Sequence, residues 1–542
     1  MELHYATIWE SIADTIPTAT AIVHGDNVKT WQQYDQRAAR LAAAYIAAGL
    51  GHDSKIGLYM YNGNEYLEAQ YAGFKVRGVP INVNYRYLDD ELWYLLDNAD
   101  AEALVFHSSL GDRVGQVVER LPKLKLLIEV DDGGTGQVPA ALAYEDVLAT
   151  NEPMERIVRS EDDIYMLYTG GTTGMPKGVM YDMASHVELF LRSGFPFLGQ
   201  RVPRTGEEVA PLVEAIAEAG ARMIAIPCAP LMHGTGLWLG AFASHLTGGA
   251  VITLTSRTLD PHEVLRTVQE RKATSVVIVG DAFAKPLVAA IDEAAQRGDP
   301  YDLSSIVVIL SSGVMWTTEV KEQLLERIPQ VVLFDAIGST EGSMGNQMSM
   351  RGGSTETAKF TQNPTTKVFT EDDREVTPGS GEIGVVAAGG FVPLGYYKDP
   401  DKTERTFRTI DGVRYAFPGD LAQVAEDGTL ILLGRGSQVI NSGGEKIFPE
   451  EVEEAVKRVP GVRDCLVVGV DDERFGQAVT AVAATDGTVL DEADVIAHVK
   501  TQLARYKAPK RIVFVAEVPR APNGKADYVT AKQHALDALG LT

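Results

Sequence analysis

A repeated alternation of short apolar runs with helical stretches most constrains how this chain folds. "KIGLYMY" (55–61), "EALVFHS" (102–108), "TSVVIVG" (274–280), "SSIVVILSSG" (304–313) and "VVLFDAIG" (331–338) read as buried strands. Between such runs lie stretches like "QYDQRAARLAAAYIAAGL" (33–50), whose alanine-rich helical periodicity stops at Gly49 and Gly51. Strands alternating with helices predict an α/β fold with mainly parallel sheets.

At 542 residues the chain exceeds the roughly 250–300 at which a single core stops growing, so it must divide. From Glu382 onward the texture shifts to glycine-punctuated strands and turns such as "EIGVVAAGG". Within "FPEEVEEAVKRVPGV" (448–462), Val452, Ala455, Val456 and Val459 share one helical face, Pro449 suits the helix start and Pro460-Gly461 ends it. The expected organisation is a large multi-subdomain body over 1–435 and a small α+β domain over 436–542. Residues 131–141 read as an exposed loop and 199–222 as a surface helical insert.

Charge excludes one class of partner. With 49 Lys and Arg against 74 Asp and Glu, the net charge of −25 would repel a polyanion, so a nucleic-acid binder is not expected. A nucleotide needs only a local patch of amides and one or two cations, and remains compatible. Cys228 and Cys465 form no C-x-x-C pair or zinc cluster and read as buried spectators. No leader peptide or apolar membrane span is recognisable, which gives a cytoplasmic protein as the expectation.

The stretch "YTGGTTGMPKGVMY" (168–181) carries the first chemistry. Aligned on Lys177 as a Walker A loop, it has Pro176 where the second glycine belongs and Gly178 where the magnesium-binding hydroxyl belongs, so it is no ordinary P-loop. The useful groups survive: Gly170, Gly171 and Gly174 free backbone amides to face an anion, Thr169, Thr172 and Thr173 add hydroxyls, and Lys177 adds a charge. Four further stretches follow in order: "GSTEG" (338–342), "FPGDLA" (417–422), "GRGSQVINSGGEKI" (434–447) and "PNGKADY" (522–528).

Together these five stretches resemble the adenylate-forming superfamily of acyl-CoA synthetases, peptide-synthetase adenylation domains and beetle luciferases, most closely a fatty acyl-CoA synthetase. The resemblance implies that the glycine-rich loop positions the β- and γ-phosphates of ATP for loss of pyrophosphate. It assigns Thr340 to the α-phosphate and Glu341 to Mg²⁺, an oxygen-preferring cation. Asp420 and Arg435 would hold the ribose, and Ser312, Gly313, Asp335, Ala336 and Ile337 would complete the nucleotide site. Ile337 stands where the family usually stacks an aromatic on adenine, and Ser437 replaces the usual hinge Asp or Lys. Lys525 would enter the active site for adenylation, where an ammonium meets the developing charge. The small domain would then rotate to present Gly443 and Gly444 to the pantetheine of coenzyme A.

The segment "PCAPLMHGTGLWLGAF" (227–242) resembles the acyl-lining segment of CoA ligases, with His233 near the carboxylate and Trp238 deeper or at a gate. Gly234, Gly236, Gly313, Gly338 and Gly342 suggest a roomy, apolar lining. The implied reaction is ATP-dependent activation of a medium- or long-chain fatty acid, then thioester formation with coenzyme A. Alternatives are a steroid side-chain or aromatic acid, transfer to a carrier-protein thiol, a luciferase-like oxygenase, or a non-catalytic nucleotide or fatty-acid sensor. The implied partner is a small-molecule acid, with a homodimer as the candidate assembly. "AAGGFVPLGYY" (387–397) departs from the family pattern, having Ala388-Gly389-Gly390 where Arg-Gly-Pro is common.

Overall fold

The computed structural model describes residues 1–136, 138–169, 175–442, 445–472, 476–503, 505–521 and 524–541. In the body, strands Thr20–His24, Ala250–Thr253, Ile224–Pro227, Ser275–Ile278, Val308–Ser312 and Val332–Ser339 run parallel, side by side in that order. Helices such as Pro261–Arg271 and Gly280–Gln296 connect them, as parallel crossovers require. At Thr340-Glu341 the chain doubles back into Gly342–Ser349, and the sheet continues antiparallel through Lys359–Gln362, Leu430–Arg435, Asp420–Val424 and Gly384–Ala388. The glycine-rich texture seen after residue 382 is this antiparallel half.

A second, all-parallel sheet is built from Val79–Asn82, Lys55–Tyr59, Ala101–His107, Leu126–Val130 and Leu142–Ala143. A small third sheet holds the hairpin of Ile164–Thr169 and Lys177–Asp182, with Gly395–Tyr396 laid along its second strand. After residue 435 a further sheet joins Glu445–Ile447, Ile440–Ser442, Gly476–Thr485, Val462–Asp472 and Arg511–Val515. Helix Pro449–Lys457 buries Val452, Ala455 and Val456 against this sheet, the face its spacing predicts. The mixed α/β fold, with a large mainly parallel body and a small C-terminal α+β unit, is the one expected. No helix among the described residues is long and apolar enough to cross a membrane.

The structure adds to two local expectations. The 131–141 loop is pinned at its start, because Asp132 accepts hydrogen bonds from Ser108 and Ser109 and from Arg257 at 2.6 Å. The 199–222 insert is more than surface: its helix Val209–Glu218 buries Val209, Val213 and Ile216 in the main core, as its own apolar spacing requires.

That core has an aromatic centre. Tyr5, Trp9, Phe74, Tyr165, His186 and Phe242 pack ring on ring, with Tyr5 against Phe242 at 4.4 Å and Tyr165 stacked on His186 at 4.0 Å. The Tyr5 hydroxyl and His186 Nδ1 lie 2.8 Å apart. Burial holds the His186 imidazole well below its ordinary pKa, so it is neutral here. A histidine locked neutral loses ground to the unfolded chain, which binds the proton first as pH falls below about 6.5. His186→Phe should therefore lose less stability than wild type between pH 7 and pH 5, measured by urea unfolding at both values.

Candidate active site

The predicted residues gather where two neighbouring parallel strands end. Val308–Ser312 leads into Gly313 and Val332–Ser339 into Thr340-Glu341, with Ser312 beside Ala336 in register. The carboxyl ends of parallel strands are where open α/β sheets bind ligands, since the connections leave a crevice there. Gly313 has φ +94, and a Cβ on it would stand 3.5 Å from Lys525 Cε and 3.7 Å from Thr235 Oγ1. The lysine of the C-terminal domain therefore reaches the strand end of the body.

His233 belongs to the same cluster. Burial first, then the charges of Lys525 and Arg86, push its imidazole down to about 3, so it faces this space neutral. Its Nε2 is buried without a protein hydrogen-bond partner among the described residues. A neutral imidazole can hydrogen-bond a carboxylate without neutralising it as an ion pair would. Thr235 and Trp238 lie on the π-helix Thr235–Phe242, a rare wide helical form that is frequent at functional sites. Trp238 Nε1 donates to the Tyr165 hydroxyl at 2.7 Å, and its ring meets His186 edge-on at 5.0 Å. The tryptophan is thus fixed as a wall between the aromatic core and the site.

Thr340 and Glu341 form the hairpin turn between Val332–Ser339 and Gly342–Ser349. The Tyr396 hydroxyl donates to Glu341 Oε1 at 2.7 Å, Thr340 Oγ1 to Oε2 at 3.1 Å, and the Tyr181 hydroxyl to the Thr340 carbonyl at 3.2 Å. Burial, and next the Glu341 charge, push the Tyr396 phenol up, so it stays a donor. Lys177 pairs with Asp399, whose carboxyl its ammonium holds below the usual range. Asp399 also caps helix Pro400–Thr406, accepting from Lys402 N at 3.0 Å. One short segment, 395–399, therefore aligns both Glu341 and the phosphate-loop lysine.

Thr169 and Lys177 face each other in register at the mouth of their hairpin. Gly170, Gly171, Thr172, Thr173 and Gly174 lie outside the described residues, as do Gly443 and Gly444. Asp420 is buried and pairs in register with Arg435. Asp335 turns its carboxylate to Lys321 at 2.8 Å, and burial raises its pKa despite that partner. Ile337 is buried in the main core.

Several glycines have packing reasons of their own. A Cβ on Gly236 would strike the Ala229 and Pro230 carbonyls at 2.5 Å, one on Gly342 would meet Ala388 Cβ at 2.7 Å, and one on Gly338 the Gly342 carbonyl at 3.1 Å. At Gly234 the neighbours are Trp238 and Leu167.

Sequence reasoning missed Tyr181, Tyr396, Asp399 and Asn82. Asn82 accepts from Tyr168 N and donates to the carbonyls of Tyr168 and Met232, at 2.7 to 2.8 Å, tying the phosphate hairpin to the His233 loop. Tyr181 closes the singled-out stretch 168–181, and Tyr396 lies in 387–397, singled out for its departure from a pattern. No group of three or more His, Cys, Asp or Glu side chains among the described residues could hold a metal unaided. Glu341 alone suits an ion bound chiefly by substrate phosphates.

This arrangement is that of an adenylate-forming enzyme, and comparison with known proteins agrees. Residues 9–397 match the AMP-binding enzyme family and residues 451–525 the AMP-binding enzyme C-terminal domain. The chain belongs to the AMP-binding enzyme family. It is similar to medium-chain acyl-CoA ligase Mig of Mycobacterium avium, 41% identical with 97% of each chain covered. It also resembles the medium/long-chain-fatty-acid–CoA/3-oxocholest-4-en-26-oate–CoA ligase of Mycolicibacterium smegmatis, 40% identical over 98% of this chain and 96% of that one. Among solved structures, ATP-bound MatB from Rhodopseudomonas palustris matches with a TM-score of 0.81 at 23% identity, covering 98% of this chain and 99% of that chain. Within its family the chain is an AMP-forming acyl-CoA ligase, using ATP and coenzyme A.

The Tyr396–Glu341 bond generates a test. Tyr396→Phe should lower kcat for pyrophosphate release about 10- to 100-fold with KM for the acid little changed, because a charge-assisted hydrogen bond to a carboxylate contributes roughly 1.5–3 kcal/mol. Steady-state kinetics at saturating ATP would read it.

Proposed function

We propose that the enzyme activates a medium- or long-chain fatty acid. The observation that supports acid activation is the placement of Lys525, from the small domain, beside Gly313 and His233 at the strand ends of the body, and the names of the relatives support the fatty acid. In the first step a carboxylate oxygen attacks the α-phosphorus of ATP, the bond to the β-phosphate oxygen breaks, and pyrophosphate leaves. Lys525 and Lys177 stabilise the charge spread over the phosphates, Thr340 meets the α-phosphate, and Asp420 and Arg435 take the ribose. Glu341, oriented by Tyr396 and Thr340, would hold Mg²⁺, which when bound neutralises phosphate charge. Neutral His233 orients the acid carboxylate.

In the second step the thiolate sulfur of coenzyme A attacks the acyl carbon and AMP departs with the electron pair of its bond. Residues 436–542 rotate between the steps, withdrawing Lys525 and bringing Gly443 and Gly444 to the pantetheine. The Trp238, Tyr181 and Phe190 rings, packed edge to face, suit an apolar tail. A steroid side-chain acid is the second reading. It is favoured by the names of the Mycolicibacterium smegmatis relative and of the 3-oxocholest-4-en-26-oate–CoA ligase of Rhodococcus rhodochrous, 40% identical.

Pyrophosphate release with Mg-ATP across a panel of acids, with and without coenzyme A, tests the substrate. Medium- and long-chain fatty acids should turn over faster than amino acids or benzoate and yield acyl-CoA and AMP by mass. Turnover confined to a steroid side-chain acid would move the assignment to that class. Lys525→Ala should nearly abolish acyl-adenylate formation and leave thioester formation from supplied acyl-adenylate within about threefold, as loss of a group serving one step requires. Equal loss in both steps would sink the two-pose mechanism.

A further inference from the structure

The loop carrying Lys525 is a hairpin stapled to its own domain. The Ala521 amide donates to the Lys525 carbonyl at 2.8 Å, Gly524 N to the Ala521 carbonyl at 2.9 Å, and Arg520 and Ala526 form an antiparallel bridge. Arg520 adds side-chain bonds that the backbone alone does not supply. Its Nε and one terminal nitrogen donate to the two oxygens of Asp464, both at 2.7 Å, while the other terminal nitrogen donates to the Gly524 carbonyl at 3.1 Å. Asp464 lies on the long strand Val462–Asp472, so one planar fork couples a rigid strand to the residue directly before the lysine.

The other side of the hairpin is set by the body. Gly524 has φ +77, and a Cβ there would stand 3.2 Å from Phe283 and 3.4 Å from Ala282, on helix Gly280–Gln296. The same helix reaches the strand that bears Asp464, since Lys285 Nζ donates to the Arg463 carbonyl at 3.5 Å. The Gly524 carbonyl and Cα are thus gripped from opposite domains, and Lys525 projects from that point to Gly313.

We infer that Arg520, held by Asp464, is a positioning residue for Lys525 and serves the adenylation step alone. It does not reach the reacting atoms: its part is to fix the Gly524 peptide, and through it the direction in which the lysine enters. Neutral groups of similar size would fill the same space without the fork. The inference rests on the assignment of Lys525 to adenylation.

The two half-reactions, assayed separately on the full-length enzyme, test it. Arg520→Met should slow pyrophosphate release about 10- to 100-fold, the scale on which small misplacements of a catalytic group act, and leave thioester formation from supplied acyl-adenylate within about twofold. Arg520→Lys should recover part of the loss, and Asp464→Asn should show the same one-sided defect. The Arg520→Met/Asp464→Asn double variant should be no slower than Arg520→Met alone, since the pair acts as one unit. Loss in both half-reactions alike, or strictly multiplicative losses in the double variant, would overturn the positioning role. Lys525→Ala, run alongside, separates the two ideas: if it leaves pyrophosphate release intact the underlying assignment fails, whereas a defect there with none in Arg520→Met defeats only the inference about Arg520.

Discussion

The hydrogen bonding of Gly395–Tyr396 along the strand Lys177–Asp182 is the constraint on which the rest of the site depends. Those two backbone pairs fix where Tyr396 and Asp399 stand, and each then aligns a charged group from a different part of the body, Glu341 in one case and Lys177 in the other. Together with the Tyr181–Thr340 hydrogen bond, that seam links the strand of Lys177 to the turn of Glu341, which lie in separate sheets. Phosphoryl chemistry of this kind uses no nucleophilic side chain, so accuracy of placement is where the protein contributes most.

The chain manages its own charge in a consistent way. A net charge of −25 would disfavour a polyphosphate, whereas Lys525 and Arg86 bring positive charge to the surroundings of His233 and Lys177 stands at the mouth of its hairpin. Buried ions elsewhere are paired: Glu10 takes Lys75 at 2.8 Å and Arg159 at 2.9 Å, and Asp335 takes Lys321. An unpaired charge at such depth would cost several kcal/mol. His186 and His233 are the opposite case, single imidazoles kept neutral chiefly by burial.

Much of this was legible along the chain because it is local. The strands at 275–278, 308–312 and 332–339 followed from apolar, β-branched runs, and helix Pro449–Lys457 from its spacing and its proline. The adenylation motifs were legible because each packs its chemistry into a few consecutive residues. Tyr396, Asp399 and Asn82 were not, because a tyrosine in a loop, an N-capping aspartate and a strand asparagine look ordinary until a partner 55, 222 or 86 residues away is brought to them. Two glycines pointed in the other direction: Gly236 of the 227–242 segment and Gly342 of the 338–342 motif suggested room for a ligand, and the structure places neighbouring protein atoms there.

The sequence by itself determined the fold class and the family, since periodicity and short motifs are encoded in neighbours along the chain. Only the tertiary structure decided that Lys525 of the C-terminal domain approaches Gly313 at a strand end of the body, and which side chains hold Glu341 and Lys177 in line. The physical reason is one of distance. Capping, turn formation and amphipathic packing are settled within a few residues, whereas aiming an ammonium from one domain at a strand end in another depends on contacts that exist only once both have folded.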